Sequence, residues 1–369
     1  MRHTSEYRDA KKAIALTVAI ESASDGRRMT IMEVCGTHTM AIARFGIRSI
    51  IPANIRLISG PGCPVCVTPN AYLDHAIAIG RERGVIICTF GDMMRVPGST
   101  SSLQEEKAKG ADVRIVYSTL GALEIAKNNP SKQIVFMGVG FETTAPTVAA
   151  SIKMARDAKL ENYSVLCAGK TIPPALSALL AQPAKIDGFL LPGHVSTIIG
   201  SSPYVEIFNS HRIACAIAGF EPVDILQAIH EITKQISSDD PHLHNSYGRA
   251  VAEAGNAKAL AILEDVFEPC DAVWRGLGNL PASGLKIRQG YSKFDAANRF
   301  DVNIEPEKEN PKCRCGEILT GLATPIDCPL FGTFCTPENP AGACMVSGEG
   351  ACASYHKYGE YPKVTAEPS

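Results

Sequence analysis

Residues 55–66 read Ile-Arg-Leu-Ile-Ser-Gly-Pro-Gly-Cys-Pro-Val-Cys. The apolar run Ile55, Leu57, Ile58 predicts a short strand over Arg56 to Ser59, and Gly60-Pro61-Gly62 predicts that this strand empties into a tight loop carrying Cys63 and Cys66. Two cysteines separated by two residues can close a disulfide or grip one metal ion, and Pro64 between them narrows the conformations the loop has to lose. Thr68 reads as a helix N-cap and Pro69 as a first helical residue, which places both thiols near the positive end of a helix and favours thiolate. From the residues alone, three readings of the pair stand: a redox or catalytic dithiol, half of a metal site, or inert thiols.

The same unit of β-rich run, Gly or Pro loop and helical stretch recurs along the chain. Runs at Thr30 to Val34, Arg56 to Ser59, Val85 to Thr89 and Val113 to Tyr117 are followed by four more at Ile134 to Gly138, Ser164 to Cys167, Gly188 to Leu191 and Ile213 to Ile217. Helical faces fill the gaps, among them Tyr72, Leu73, Ala76, Ile77 and Gly80. This alternation predicts an α/β protein with parallel sheets, its eight strands divided four and four. The expected units are a leading helix in 1–29 packing on the C-terminal domain, a first α/β domain over 30–121, a second over 122–237, and a helical, loop-rich domain over 238–369. The leading helix should lie within Tyr7 to Ser22 and stop at Asp25-Gly26. Beyond the linker Asp239-Asp240-Pro241, the spacing of Tyr247, Val251, Ala254, Leu260, Leu263 and Phe267 predicts one long Ala-rich helix with no further strands after it.

A chain of 369 residues is long for one domain and suits two or three. Its 36 basic and 38 acidic residues are spread along it for a net charge of -2, which leaves no electrostatic footprint for nucleic acid. No apolar run approaches membrane-spanning length, and the charged N-terminus lacks the order of segments in a signal peptide, so the expected location is the cytoplasm. In a reducing compartment thirteen cysteines are metal ligands or working thiols rather than a disulfide framework.

In open parallel sheets the working crevice lies beyond the carboxyl ends of the strands, and the unusual residues sit there. Cys35-Gly36-Thr37-His38-Thr39 follows the first run; Cys35 as a thiolate suits a soft metal and His38 could assist with protons, the alternative being a buried cysteine that ends a strand. Glu142, in Gly-Phe-Glu-Thr-Thr, and His194, in Leu-Pro-Gly-His, either face the crevice or cap the next helix. Gly91-Asp92 with Arg95 is similarly placed. Cys88, Cys167 and Cys215 lie inside apolar runs and read as core. His75, His211 and His230 read as structural, and Cys270 gives no reading. Nucleotide motifs fail: Gly169-Lys170-Thr171 has Ser164 where a P-loop requires glycine, and Gly138-Val139-Gly140 has Thr143 where the dinucleotide fingerprint does.

The C-terminal region holds Cys313, Cys315, Cys328, Cys335, Cys344 and Cys352 among prolines and glycines. So irregular a segment needs a staple. The last four are single cysteines with wide spacing, unlike paired zinc knuckles, and loops of that size can wrap an iron-sulfur cubane; zinc and metal-free redox thiols are the other readings. Cys313 and Cys315 are reserve ligands.

Taken together, Cys-Gly-Thr-His-Thr, Gly-Pro-Gly-Cys-Pro-Val-Cys, Gly-Phe-Glu-Thr-Thr-Ala-Pro-Thr, Leu-Pro-Gly-His-Val-Ser and Cys-Met-Val-Ser-Gly-Glu-Gly-Ala-Cys, in this order between Glu33 and Tyr358, resemble the HypD family of NiFe-hydrogenase maturation factors. The resemblance implies two Rossmann-like α/β domains with a third that holds a 4Fe-4S cluster through Cys328, Cys335, Cys344 and Cys352. It implies a scaffold on which iron acquires cyanide and carbon monoxide as an Fe(CN)2CO unit. Cys35 stands where the family's iron-binding cysteine does, Cys63 and Cys66 where its redox pair does, and His38 beside them. The implied partners are a HypC-type small chaperone, a HypE-type cyanide donor and, indirectly, a hydrogenase large subunit. Thiolate suits an electron-rich, low-spin iron better than carboxylate does. The alternatives are an iron-sulfur-dependent thiol-disulfide oxidoreductase and a zinc-stapled interaction module.

Overall fold

The computed structural model describes residues 5–182 and 184–359. Arg2 and the last ten residues of the expected C-terminal domain lie outside the described residues. All eight expected runs are strands: β1 (Met29–Glu33), β2 (Ile55–Ser59), β3 (Val85–Thr89), β4 (Asp112–Ile115), β5 (Gln133–Gly140), β6 (Tyr163–Gly169), β7 (Gly188–Pro192) and β8 (Ala214–Ala218). Three further strands follow: β9 (Leu243–Asn245), β10 (Phe267–Trp274) and β11 (Gly278–Ile287).

The strands form a parallel sheet β2-β1-β7-β8-β9, a parallel sheet β4-β3-β5-β6 and an antiparallel hairpin β10-β11. Helices cover both faces of the first sheet, so its strands read as nearly continuous apolar runs. Ile31, Leu57, Leu190 and Ala216 turn to the face covered by Ile225, Ile229 and Ile232 of the helix Pro222–Ser238. Met32, Ile58, Phe189, Leu191 and Ile217 turn to the other, towards the cysteine-rich region. Each such side chain taken out of water stabilises the fold by roughly 1.5–3 kcal/mol before chain entropy is counted.

The division of the sheets does not fall at residue 121. β1 and β2 belong with β7 to β9, and β3 to β6 form the second sheet, so the second sheet is inserted within the first. Pairing is set by which edges can be buried: Ile31 has Leu57 on one side and Gly188 on the other. Gly188 is required there, because a Cβ would meet Ile232 Cγ2 at 2.5 Å. The first sheet also runs past residue 237, since β9 pairs with β8.

The leading helix α1 (Ala10–Ser24) ends at Asp25, which is left-handed at φ 47°. It packs on the helix Pro222–Ser238 through Ile20, with Ala13 and Leu16 beside it, and not on the C-terminal region.

The long helix expected over Tyr247 to Phe267 shrinks to Ala257–Val266, where the Asn256 side chain accepts N–H bonds from Lys258 and Ala259 at 3.1 Å each. Phe267 then starts the hairpin, which overturns the expectation of no later strands. The hairpin docks on the end of β6: the Thr171 amide donates to Ser283 O at 2.9 Å, and the buried Lys170 ammonium donates to Val273 O at 2.7 Å. Trp274 donates its indole N–H to Ser283 Oγ at 2.8 Å and stacks on Phe141, with ring centroids 5.8 Å apart. Among the described residues no helix is long and apolar enough to cross a membrane.

Each parallel sheet reverses its winding once. In the first the reversal lies between β1 and β7, and in the second between β3 and β5. Such switch points open a crevice beyond the strand ends. The residues flanking them are Cys35 and His194 in one sheet, and Asp92 and Glu142 in the other.

Candidate functional site

Cys35 is the N-cap of α2 (Gly36–Arg44), where the backbone N–H groups of His38 and Thr37 are close enough to favour its thiolate, although its side chain makes no capping hydrogen bond. Burial and then the Glu349 carboxylate push its thiol up to about 12 despite those donors. A cation in the proton's place reverses the balance, because the two N–H groups then act with it on the thiolate. The Gly36 amide donates to Gly62 O at 2.8 Å, so the Cys35 loop and the Cys63 loop are tied backbone to backbone.

Cys63 itself caps a single helical turn, Pro64–Val67, and its sulfur accepts from the Cys66 amide at 3.3 Å. The helix expected to be capped by Thr68 starts one residue later, with Pro69 as the N-cap of Asn70–Gly80, and Thr68 instead closes the unexpected turn before it by donating to Pro64 O at 2.8 Å. Proximity to a helix start does not make Cys66 acidic. Burial, together with hydrogen bonding to Cys344 and Cys63, pushes its thiol well up.

The six C-terminal cysteines gather beneath this turn. Cys315 and Cys344 have their sulfurs 2.7 Å apart. Hydrogen bonds from the Cys315 and Cys66 thiols, with the Arg275 guanidinium nearby, hold the Cys344 thiol well below its ordinary value. Cys352 lies within electrostatic range of Cys344, Cys335, Cys313 and Cys328, and Cys335 Sγ accepts the Ala341 amide at 3.2 Å. Cys328, Cys335, Cys344 and Cys352 are all buried. A soft, converging donor set with one thiol already acidic and a backbone N–H on another sulfur fits a thiolate-bound cluster. Cys315 sits too close to Cys344 for the two to serve separate corners of a cubane, whereas Cys313 stands among the other four.

Arg275 ties the dithiol turn to this region. It donates to Cys66 O at 3.1 Å and to Thr68 O and Asn70 Oδ1 at 2.8 Å each, and pairs with Glu309. The loop between Cys344 and Cys352 reaches over the crevice: Glu349 accepts from Thr37 Oγ1 at 2.5 Å, and Ser347 donates to Asp92 at 2.9 Å. Sequence reasoning passed over Glu349, though it lies inside a quoted motif, and Arg275, which has no local signal.

His38 and His194 both stack on Phe220, with ring centroids 4.7 and 3.8 Å away. Burial brings His38 down to about 4, so it is neutral near pH 7. Its Nε2–H donates to Gly219 O at 2.9 Å, and Nδ1 is a buried lone pair without a partner. In this state Nδ1 is a free hydrogen-bond acceptor, and the ring holds no second proton near pH 7. Burial also lowers His194. Glu142 accepts from the Ile172 amide at 2.8 Å through Oε1, while its buried Oε2 has no partner, and burial raises the carboxyl to about 7. Cys88 and Cys215 are core, whereas Cys167 is half-buried and donates to Leu285 O at 3.1 Å.

The chain matches the HypD profile, described as the hydrogenase formation hypA family, over residues 11–359. It is 46% identical to hydrogenase maturation factor HypD2 of Bradyrhizobium diazoefficiens, with 98% of each chain covered. It is 44% identical to hydrogenase maturation factor HypD of Cupriavidus necator over 99% of each chain. With the HypD of Escherichia coli the identity is 43%, over 97% of this chain and 98% of the relative.

Proposed function

This chain belongs to the HypD family of hydrogenase formation proteins, and on that premise we propose that it is the scaffold on which an iron ion receives cyanide and carbon monoxide before delivery to a hydrogenase. The observation that carries this reading is the tie between the Cys35 loop and the Cys63 loop, one step from Cys344. Cys35 supplies one thiolate to the iron being assembled. The N–H groups of Thr37 and His38 stabilise that thiolate, and Glu349, close by, takes up the displaced proton. One thiolate holds iron weakly, so a HypC-type chaperone supplies a second, and the iron leaves when the two proteins part. A HypE-type protein brings cyanide to this complex.

Cys328, Cys335, Cys344 and Cys352 hold a 4Fe-4S cluster, which supplies one-electron transfer when bound. Cys63 and Cys66 pass between dithiol and disulfide, releasing or taking up two electrons and two protons. Burial shapes this pair for internal use: Cys63 is 3% exposed and Cys66 is 0% exposed. A protein disulfide has no path to them, which argues against a thiol-disulfide oxidoreductase acting on an external partner. Near pH 7 neutral His38 offers a hydrogen-bond acceptor, and Glu142 is poised to exchange a proton.

The test is hydrogenase activity in cells that lack their own HypD and carry this chain. The wild-type chain should restore activity and Cys35→Ala should not. Full restoration by Cys35→Ala would remove the proposed site.

A further inference from the structure

Outside the cysteine-lined crevice, the described residues bring one set of metal-ligating side chains together. Glu231 lies on the helix Pro222–Ser238, His242 in the loop after it, and His244 in the edge strand β9, and one ligand atom from each lies within 4.8 Å of the others. The fold dictates the convergence. His244 pairs with Ala216, whose face of the sheet is the one covered by that helix, and side chains two apart on an extended segment point the same way. Gln235, one helical turn after Glu231, accepts the amides of Cys215 at 3.1 Å and His242 at 3.3 Å, which fixes the loop against β8.

A second observation points to a ligand. His242 Nδ1–H donates to Asp240 O at 2.9 Å, so in the neutral ring Nε2 carries the lone pair, and it faces Glu231 Oε1 at 3.6 Å. Metal-bound histidines are held in this way, with the remote N–H committed to a carbonyl. The separation exceeds a good hydrogen bond, yet donors about 2.0–2.2 Å from one zinc in a tetrahedron stand roughly 3.3–3.6 Å apart. Lys234 pairs with the other oxygen, Oε2, at 3.1 Å, so Oε1 is the oxygen turned to His242. The His242 side chain is 45% exposed and that of Glu231 17%, so an ion has an entry path and water has a coordination position.

We propose that Glu231, His242 and His244 form a binding site for a divalent transition-metal ion of the zinc class, with water completing the coordination. Two imidazoles and a carboxylate suit zinc or cobalt and not magnesium or calcium. The ion pins the edge strand β9 to the helix Pro222–Ser238. That strand leads directly to Tyr247, whose ring meets Phe220 edge-on at 6.1 Å, so metal loading braces the wall against which His38 and His194 stack.

The experiment is anaerobic titration of the full chain, its cysteine sites loaded, with Co2+. The expected result is one equivalent bound with d–d absorption and without thiolate charge transfer, displaced by Zn2+ and not by Mg2+. His242→Ala, His244→Ala and Glu231→Gln should each weaken binding by at least about tenfold, the scale of even an outer-shell loss. His211→Ala, on a different helix, should change nothing. Circular dichroism checks each fold; should His244→Ala unfold, the exposed His242 decides alone. No thiolate-free cobalt spectrum, or wild-type affinity in His242→Ala, would overturn the site.

Discussion

The Gly36 amide donates to the Gly62 carbonyl at 2.8 Å, and through it the loops after β1 and β2 form one unit. The contact is so close that a Cβ on Gly62 would overlap the Cys35 backbone. Gly62→Ala therefore has to shift Cys35. The expected loss is at least roughly 2 kcal/mol of stability, measured by anaerobic denaturation, together with loss of iron carriage. A variant with wild-type stability would show that the two loops move independently.

The cysteine gathering sets an order of importance. Cys328→Ala, Cys335→Ala, Cys344→Ala and Cys352→Ala should each lose cluster iron and sulfide under anaerobic analysis, while Cys315→Ala should retain them, because Cys315 shares the position of Cys344. Loss in Cys315→Ala with retention in Cys344→Ala would exchange their roles.

Glu142 should leave a signature in the pH dependence of stability. Its folded value, about 7, lies above the ordinary 4.5 because burial disfavours the charge. A raised value means that its stabilising contribution is present in full below about 4.5 and is lost as pH rises through about 7. At roughly 1.4 kcal/mol per unit, the loss is on the order of 3 kcal/mol. Glu142→Gln should flatten this fall between pH 4.5 and 7, as measured by denaturation across pH. An unchanged profile would mean that burial does not raise the Glu142 carboxyl.

Arg275→Met should separate the dithiol turn from the cluster segment. It leaves Cys66 O, Thr68 O and Asn70 Oδ1 without their donor, and stability should fall by roughly 2–4 kcal/mol. It should also raise the Cys344 thiol, which the guanidinium helps hold down. Retention of wild-type stability would count against Arg275 as the tie.

Eight strands of the two parallel sheets were legible because each is a short run ending at a Gly or Pro loop, as at Ile58-Ser59-Gly60, whereas the three-residue, half-buried edge strand β9 was not. Their partition was not. Whether β1 pairs with β7 as well as β2 depends on residues as far apart in sequence as Ile31 and Gly188, and no local pattern reports that. The hairpin was hidden by its composition: Glu268, Pro269, Asp271, Asn279 and Pro281 face outward, and only Phe267, Trp274 and a few others are buried. The candidate cysteines stand out by type and spacing. Their protonation does not, because the burial that drives Cys35 and Cys66 upward is tertiary.

The central claim is that Cys35 is the scaffold's own ligand to the iron under assembly. Infrared spectroscopy of the chain purified without oxygen beside its HypC-type chaperone tests it most directly. Wild-type complex should show cyanide and carbonyl stretches, Cys35→Ala should show neither, and Cys328→Ala, which disturbs the cluster segment without removing the ligand, should keep a measurable fraction of them. Both sets of bands at wild-type intensity in Cys35→Ala would contradict the account and place the iron elsewhere in the crevice.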